Sequence, residues 1–282
     1  MLEQHCIGKT LPKSNRLSFD AVRMLDARIN SPCFKVLGVR VNAVQISDVI
    51  GQMERWISGR DASHTIAVAN VHVVMEAQHD VSFRKALDAA DLIVPDGMPL
   101  VWHGRLKGFR LRRRVYGPDL AWDFFRETEG RGYTHFFFGS APGVPEKLAV
   151  EMKKRFSNLK VVGTYSPPFR PPTKEEDAQV VEMINRADPD VLWVGLGCPK
   201  QERWMYDHQK CLKAPVMVGV GAAFDFFSGR IRQAPAWMRE HGLEWLCRLW
   251  QEPKRLWHRY LVYNTQFIVY SCLEASGLKR FE

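Results

Sequence analysis

The chain has 282 residues, 46 % hydrophobic and 25 % charged, an ordinary make-up for a folded protein of one large domain or two small ones. Its formal net charge of +9 favours an anionic partner (a nucleotide diphosphate, nucleic acid or anionic headgroup) without choosing among them. The N-terminus lacks the basic-then-apolar pattern of a signal peptide and no apolar run reaches spanning length. The six cysteines form no CxxC pair and no zinc-like spacing, so they read as reduced thiols of a cytoplasmic protein whose membrane contact, if any, is peripheral.

The first thirty or so residues are mixed and aperiodic, which predicts a loosely ordered tail over 1–34. Short apolar runs then alternate with longer amphipathic ones. Strands are predicted at 35–39, 65–69, 91–94, 134–138, 160–163, 191–195 and 216–220. Helices are predicted at 45–58, 72–89, 118–130, 143–156, 174–187 and 200–211. Strands alternating with helices imply an α/β fold, a mostly parallel Rossmann-like sheet with helices on both faces, over about 35–232. The segment Ser166-Pro167-Pro168-Phe169-Arg170-Pro171-Pro172 reads as a surface loop before a helix at Thr173.

Beyond about 232 the strands stop. Two helices are predicted, each opened by a proline, Pro235 and Pro253. From Arg230 to Arg259 seven Arg or Lys stand against three Glu, with Trp237, Trp245, Trp250 and Trp257 interleaved. Such a helical appendage over 233–282 suits a surface that meets phosphates and lipid headgroups. A plain helical cap, with its tryptophans packed on the core, is the competing reading.

In an open α/β sheet, ligands bind at the carboxyl ends of the strands. Four segments end strands there. Val68-Ala69-Asn70 offers a donor and acceptor for a base or sugar hydroxyl, or simply an N-cap. Pro95-Asp96-Gly97 presents a lone carboxylate, either a turn aspartate or a general base. Gly195-Leu196-Gly197-Cys198-Pro199-Lys200-Gln201-Glu202 combines a close-approach turn with a helix start that favours an anion, and Gln201 lies within reach of a ligand oxygen. Gly219-Val220-Gly221-Ala222-Ala223-Phe224-Asp225 resembles a dinucleotide turn, but Phe224 replaces the third glycine and no acidic residue follows at the required distance, which disfavours a nicotinamide dehydrogenase. Outside the strand ends, Arg112-Arg113-Arg114 leads into a helix, and one arginine could clamp a diphosphate.

P-loop, zincin and nucleophile-elbow motifs are absent, as are the signatures of nucleic-acid binding. Asp188-Pro189-Asp190 spells the D-x-D by which many sugar-nucleotide enzymes hold a divalent metal. It precedes a strand, on the wrong edge of the sheet, and reads as a helix-to-strand turn. No metal or cofactor is then required, and arginines and helix termini would have to stabilise a leaving diphosphate.

Taken in order, these segments resemble the WecG/TagA/CpsF family, glycosyltransferase family 26, from about Lys35 to about Val269. The resemblance rests on Asn70, Pro95-Asp96-Gly97, Arg114-Val115-x-Gly117-x-Asp119-Leu120, Phe138-Gly139, Gly195-x-Gly197-x-Pro199-Lys200-Gln201-Glu202, Gly219-x-Gly221 with Phe224-Asp225 and Gly229, Ala234-Pro235, Gly242-Leu243-Glu244-Trp245, Arg248 and Glu252-Pro253. It implies a metal-independent, inverting transferase. Such an enzyme moves N-acetylmannosamine, its uronic acid or a hexose from a UDP-sugar to a polyprenyl-diphosphate-linked acceptor at the cytoplasmic membrane surface, for a cell-envelope polysaccharide. By position, it makes Asp96 the base and places Asn70, Gly97, Gly139, Gly195, Gly197, Lys200, Gln201, Gly219, Gly221 and Asp225 about the sugar nucleotide, with Arg114 facing the diphosphate. Arg248 and Arg255 would meet the acceptor diphosphate, and a third appendage arginine would fall near His258, with Arg259 beside it. Val68 departs from the threonine that the family often carries. A non-catalytic nucleotide-sugar binder is the alternative, and an assembly of identical subunits is compatible with the sequence.

Overall fold

The computed structural model describes residues 31–281; the tail predicted over 1–34 lies, up to residue 30, outside the described residues. The chain opens with a β-hairpin, β1 (Cys33–Val36) and β2 (Val39–Asn42). The single strand expected at 35–39 is therefore corrected. Leu37 and Gly38 both take positive φ, 48° and 79°, and reverse the chain in two residues.

The main sheet has six strands in the order β4-β3-β8-β7-β5-β6, every neighbouring pair parallel. These are β3 (His64–Ala69), β4 (Leu92–Pro95), β5 (Thr134–Gly139), β6 (Lys160–Tyr165), β7 (Val191–Gly195) and β8 (Val216–Gly219). Alternate residues feed opposite layers, as the two-residue period of a strand requires. Ile66, Val68, Leu92, Val94, Phe137, Val191 and Trp193 pack toward α1 (Ile46–Gly59), α5 (Gly117–Thr128) and α6 (Val144–Arg155). Ala67, Ala69 and Ile93 pack toward the hairpin, α2 (Val71–His79) and α3 (Val81–Asp88). Phe136, Phe138, Leu192 and Val194 pack toward α7 (Lys174–Ala187) and α8 (Lys200–His208). Both faces are covered, as a parallel sheet needs. At the β4 edge the side chain of Asn42 accepts from the Ile93 amide at 2.9 Å, which lays β2 alongside β4.

The predicted helix 72–89 is two helices, because Asp80 ends one and caps the next through Oδ1, 2.9 Å from the Phe83 amide. A helix absent from the sequence reading, α4 (Met98–Leu106), starts directly after Asp96-Gly97. The two predicted C-terminal helices are four, with a π-helical turn between the last two: α9 (Ala223–Phe227) closes the core and is followed by α10 (Ala236–Glu240), α11 (Glu244–Gln251), α12 (Pro253–Trp257), the π turn His258–Val262 and α13 (Tyr263–Ala275). Pro253 opens its helix as expected, whereas Pro235 sits at the cap position before α10. These helices dock on the core through Phe267, which is buried against the His103 ring, and through the Tyr263 hydroxyl, 3.2 Å from Glu76. Among the described residues no helix is long and apolar enough to cross a membrane.

Candidate active site

Because the six strands run parallel, their carboxyl ends share one edge. There they line a cleft of about 1800 Å³ with Asn70, Asp96, Ser140, Gly197 and Gly221, and the appendage adds Glu244, Arg248, Arg255 and Arg259. Asn70 and Asp96 follow β3 and β4 at the same register step, since Ala69 pairs with Pro95. Asn70 is both things its sequence position suggested. Its Oδ1 accepts from the His72 and Val73 amides at 3.0 and 3.4 Å and caps α2, while its Nδ2 donates to Asp96 Oδ2 at 3.3 Å.

The second carboxylate oxygen of Asp96, Oδ1, is buried and has no hydrogen-bond partner. Burial pushes the Asp96 carboxyl up to about 6, opposed by the Arg114 charge, assisted by the Glu244 charge, and opposed again by the Asn70 amide and the Gly117 backbone N–H. Gly117 is the first residue of α5, so a helix N-terminus also faces this carboxylate. An aspartate that lines the cleft, held near neutrality and with one oxygen unpartnered, suits proton abstraction.

Arg114 stands beside Asp96, yet its hydrogen bond goes elsewhere. Nη2 donates to Glu244 Oε2 at 2.5 Å, and the guanidinium lies 4.0 Å from the Tyr116 ring centre. The Tyr116 hydroxyl donates to Glu244 Oε1 at 2.6 Å. Burial and the adjacent Glu244 push the Tyr116 phenol well above its ordinary value, so it stays a donor. Glu244 and Tyr116 are the residues the sequence reading missed. Both lie inside or next to quoted segments, but nothing local announces a bond spanning 128 residues.

Gln201 is buried, 3 % exposed, and works inside the protein. Its Oε1 accepts from the Gly197 and Gly221 amides, both at 3.1 Å, so one side chain ties the turn after β7 to the turn after β8. Its Nε2 donates to Glu202 Oε1 at 2.9 Å, and burial pushes that carboxyl up to about 7. The glycines divide into two sets. Gly139, Gly195 and Gly219 are required by protein neighbours: an added Cβ would lie 2.6 Å from the Gly195 carbonyl carbon, 2.7 Å from the Phe224 ring and 2.9 Å from Gln201 Nε2, respectively. Gly197, at φ +78° with open space around it, and Gly221, at φ +54°, shape the turns that border the cleft. Gly97 packs on Asn70, its would-be Cβ 3.3 Å from the Asn70 Cβ. Lys200 is exposed at the cleft-facing start of α8. Asp225 accepts from Ser140 Oγ at 3.1 Å and from Arg230 at 3.3 Å, which fixes the turn after β5 against α9.

The appendage arginines reach the same cleft. Arg248 and Arg255 both pair with Glu252, at 3.7 and 2.8 Å. Arg259 turns inward with a buried, unpartnered Nε, and its charge, after burial, helps keep His72 neutral, its pKa pushed down to about 3. His258 packs edge-on against Trp257 and Tyr263.

At the opposite edge of the sheet the D-x-D segment is engaged within the protein. Arg60 donates to Asp188 at 3.1 Å and to Asp190 at 2.6 Å, and Asp190 also accepts from the Thr134 amide and hydroxyl at 2.8 and 2.9 Å.

The chain matches the model of the glycosyl transferase WecG/TagA/CpsF family over residues 34–280. Among the proteins it is similar to are several named N-acetylglucosaminyldiphosphoundecaprenol N-acetyl-beta-D-mannosaminyltransferase. The one from Bacillus spizizenii is 29 % identical, covering 77 % of this chain and 82 % of the relative. That from Bacillus subtilis is 28 % identical, with the same coverages. That from Staphylococcus aureus is 24 % identical, covering 82 % of this chain and 90 % of the relative.

Proposed function

Since the chain belongs to the WecG/TagA/CpsF family of glycosyl transferases, we propose that it moves one sugar from a UDP-sugar to a hydroxyl of a polyprenyl-diphosphate-linked acceptor, with inversion and without a metal. The observation that carries the reading is Asp96: a buried carboxylate near neutrality, one oxygen unpartnered, in a cleft rimmed by Lys200, Arg248, Arg255 and Arg259.

In this mechanism the Asp96 carboxylate takes the proton of the acceptor hydroxyl as that oxygen attacks the anomeric carbon. The bond from that carbon to the diphosphate breaks on the opposite face, and UDP departs with the electron pair. Asn70 holds Oδ2, so the carboxylate is presented in one orientation. The charge on the leaving diphosphate is met by cationic side chains and by the N-terminus of α8. The Arg60 and Thr134 contacts of the D-x-D pair leave those carboxylates structural in this scheme.

The names of the relatives favour N-acetylmannosamine as the donated sugar and an N-acetylglucosaminyl-diphospho-lipid as acceptor. Of the two candidates for a third appendage contact, Arg259 lines the cleft, and we assign the role to it. The appendage carries exposed Trp237, Trp250 and Trp257, at 59, 88 and 52 %, together with Leu246, Leu261 and Ile268. Tryptophans packed on the core would be covered, so this exposure favours contact with the inner surface of the plasma membrane over a plain cap.

The test is UDP release by the full chain with a panel of UDP-sugars and a lipid-linked acceptor. Asp96→Asn is expected to lower turnover at least about a hundredfold while UDP-sugar binding persists. Near wild-type turnover in that variant overturns the base assignment. Tight UDP-sugar binding by the wild type with no release on any acceptor favours the non-catalytic binder.

A further inference from the structure

Glu244 belongs to the appendage, yet both of its oxygens are spent on the core. It is the first residue of α11 and 8 % exposed; Oε2 accepts from Arg114 and Oε1 from Tyr116. The Arg114 guanidinium is thereby fixed from two directions, by the carboxylate at 2.5 Å and by the Tyr116 ring at 4.0 Å. Arg114 is also the cation whose charge acts on Asp96. One part-buried arginine thus acts on two carboxylates, and its bond goes to Glu244. Asp96 keeps an oxygen with no partner.

We infer that Glu244 is a positioning residue of the active site: by holding Arg114 and Tyr116, it keeps the arginine from closing on Asp96, so the base is free only while α11 is seated on the core. The inference rests on the reading of Asp96 as the base. A guanidinium released next to a buried carboxylate would pair with it, because the attraction of opposite charges is large where water is excluded. Such a pair would give the unpartnered oxygen a cationic donor and weaken the carboxylate as a proton acceptor. The groups that face Asp96 are Arg114, Glu244, the Asn70 amide, the Gly117 N–H and the Tyr116 side chain, with Asp119, itself bonded to Arg239 at 3.3 Å, next along α5. Of these, Glu244 is contributed by the appendage. The same short helix carries Trp250, 88 % exposed, so one element has a surface end and an active-site end. Seating of the appendage and competence of the base are therefore linked through a single carboxylate.

The experiment is the pH profile of kcat/KM for the full-length wild type and Glu244→Gln, with UDP-sugar binding and thermal melting as controls. Glu244→Gln removes the charge that opposes ionisation of Asp96 and frees Arg114. Its acid limb is expected to move to lower pH by at least about half a unit, and kcat at the plateau to fall about tenfold or more, with UDP-sugar affinity held within about twofold. An unmoved acid limb with wild-type kcat overturns the inference. If Glu244→Gln does not fold, Glu244→Asp serves: the charge is kept and the reach shortened, so kcat falls while the acid limb stays, and wild-type kcat there overturns the inference. A double-mutant cycle with Arg114→Met adds a readout that a merely structural role would not move. If Glu244 acts through Arg114, its loss costs little further in that background, and additive losses count against it. Asp96→Asn separates the two claims. Wild-type turnover in Asp96→Asn removes the base assignment itself, whereas an inactive Asp96→Asn beside an unchanged Glu244→Gln removes only the role of Glu244.

Discussion

Asn70 and Asp96 meet across adjacent parallel strands because each is the first residue past a register pair, Ala69 with Pro95, and the Asn70 amide spans the gap at 3.3 Å. The contact is made where backbone pairing ends, so the sheet itself sets the position of the carboxylate. Asn70 in turn is held by α2, whose first free amides it caps. A side chain restrained at both ends leaves Asp96 little rotamer freedom, which is what a site that must present one oxygen needs.

The raised Asp96 value makes a stability prediction distinct from the kinetic one. The carboxyl titrates near 6 in the fold against an ordinary 3.8. The folded protein therefore holds this proton more tightly than the unfolded chain, and ionising it costs stability. The cost is absent below the unfolded value, grows as pH rises, and is complete above the folded value. Asp96→Asn is expected to be more stable than wild type by up to about 3 kcal/mol at pH 8, with the gain shrinking as pH falls from 6 toward 4. Urea unfolding across that range measures it. In the active wild type, kcat/KM should rise with pH through about 6 and then level.

Gln201→Ala should damage binding and stability together. It strips the shared acceptor from the Gly197 and Gly221 amides and removes the Gln201 donor from Glu202. Losing buried partners of this kind costs about 1–3 kcal/mol, visible in thermal melts. With the two turns uncoupled, affinity for UDP-sugar is expected to fall at least about tenfold, since a comparable loss in binding free energy is a factor of ten; isothermal titration reads this directly.

Asp190→Ala tests the D-x-D segment. Asp190 anchors the start of β5 through Thr134 and the start of β7 through Arg60. The variant is expected to lose about 1–3 kcal/mol of stability while keeping kcat and UDP-sugar affinity at temperatures where it is folded. A selective loss of kcat, without loss of stability, would place this segment in the chemistry.

Trp237→Ser, Trp250→Ser and Trp257→Ser, combined, address the appendage surface. Burying one large apolar side chain is worth about 1.5–3 kcal/mol, so losing three should reduce sedimentation with anionic vesicles well over tenfold. Turnover on a short-chain, water-soluble acceptor should be unchanged. Equal loss on both acceptors would argue that these side chains support the fold instead.

The alternating strands and helices were legible because each parallel strand is a short apolar run and each covering helix repeats at its own period. The exceptions have local causes. Leu37 adopts a conformation that leucine seldom takes, so nothing in its side chain announced a reversal. Helix α4 shows no single apolar stripe: Leu100 and Val101 face the core while Trp102 and Leu106 are exposed. At the site, the strand-end residues were legible as a set, and their bonding was not. Gln201 suggested a ligand contact from sequence, but its amide oxygen serves two turns of the protein. Glu244 lies 130 residues from Arg114, and a partner at that distance leaves no local trace.

The contact between Asn42 and Ile93 has a consequence for how copies of the chain can meet. A terminal strand ordinarily exposes a ladder of unsatisfied amides that recruits another chain. On β4, the strand that delivers Asp96, the hairpin occupies that flank, and Asn42 answers the Ile93 amide at 2.9 Å. The strand behind the Asp96 carboxylate is thus shielded from intermolecular zippering. β6, at the far margin of the sheet, is left as the place for strand-to-strand growth among the described residues. Association there would build outward from the molecule while the mouth of the cleft stayed clear.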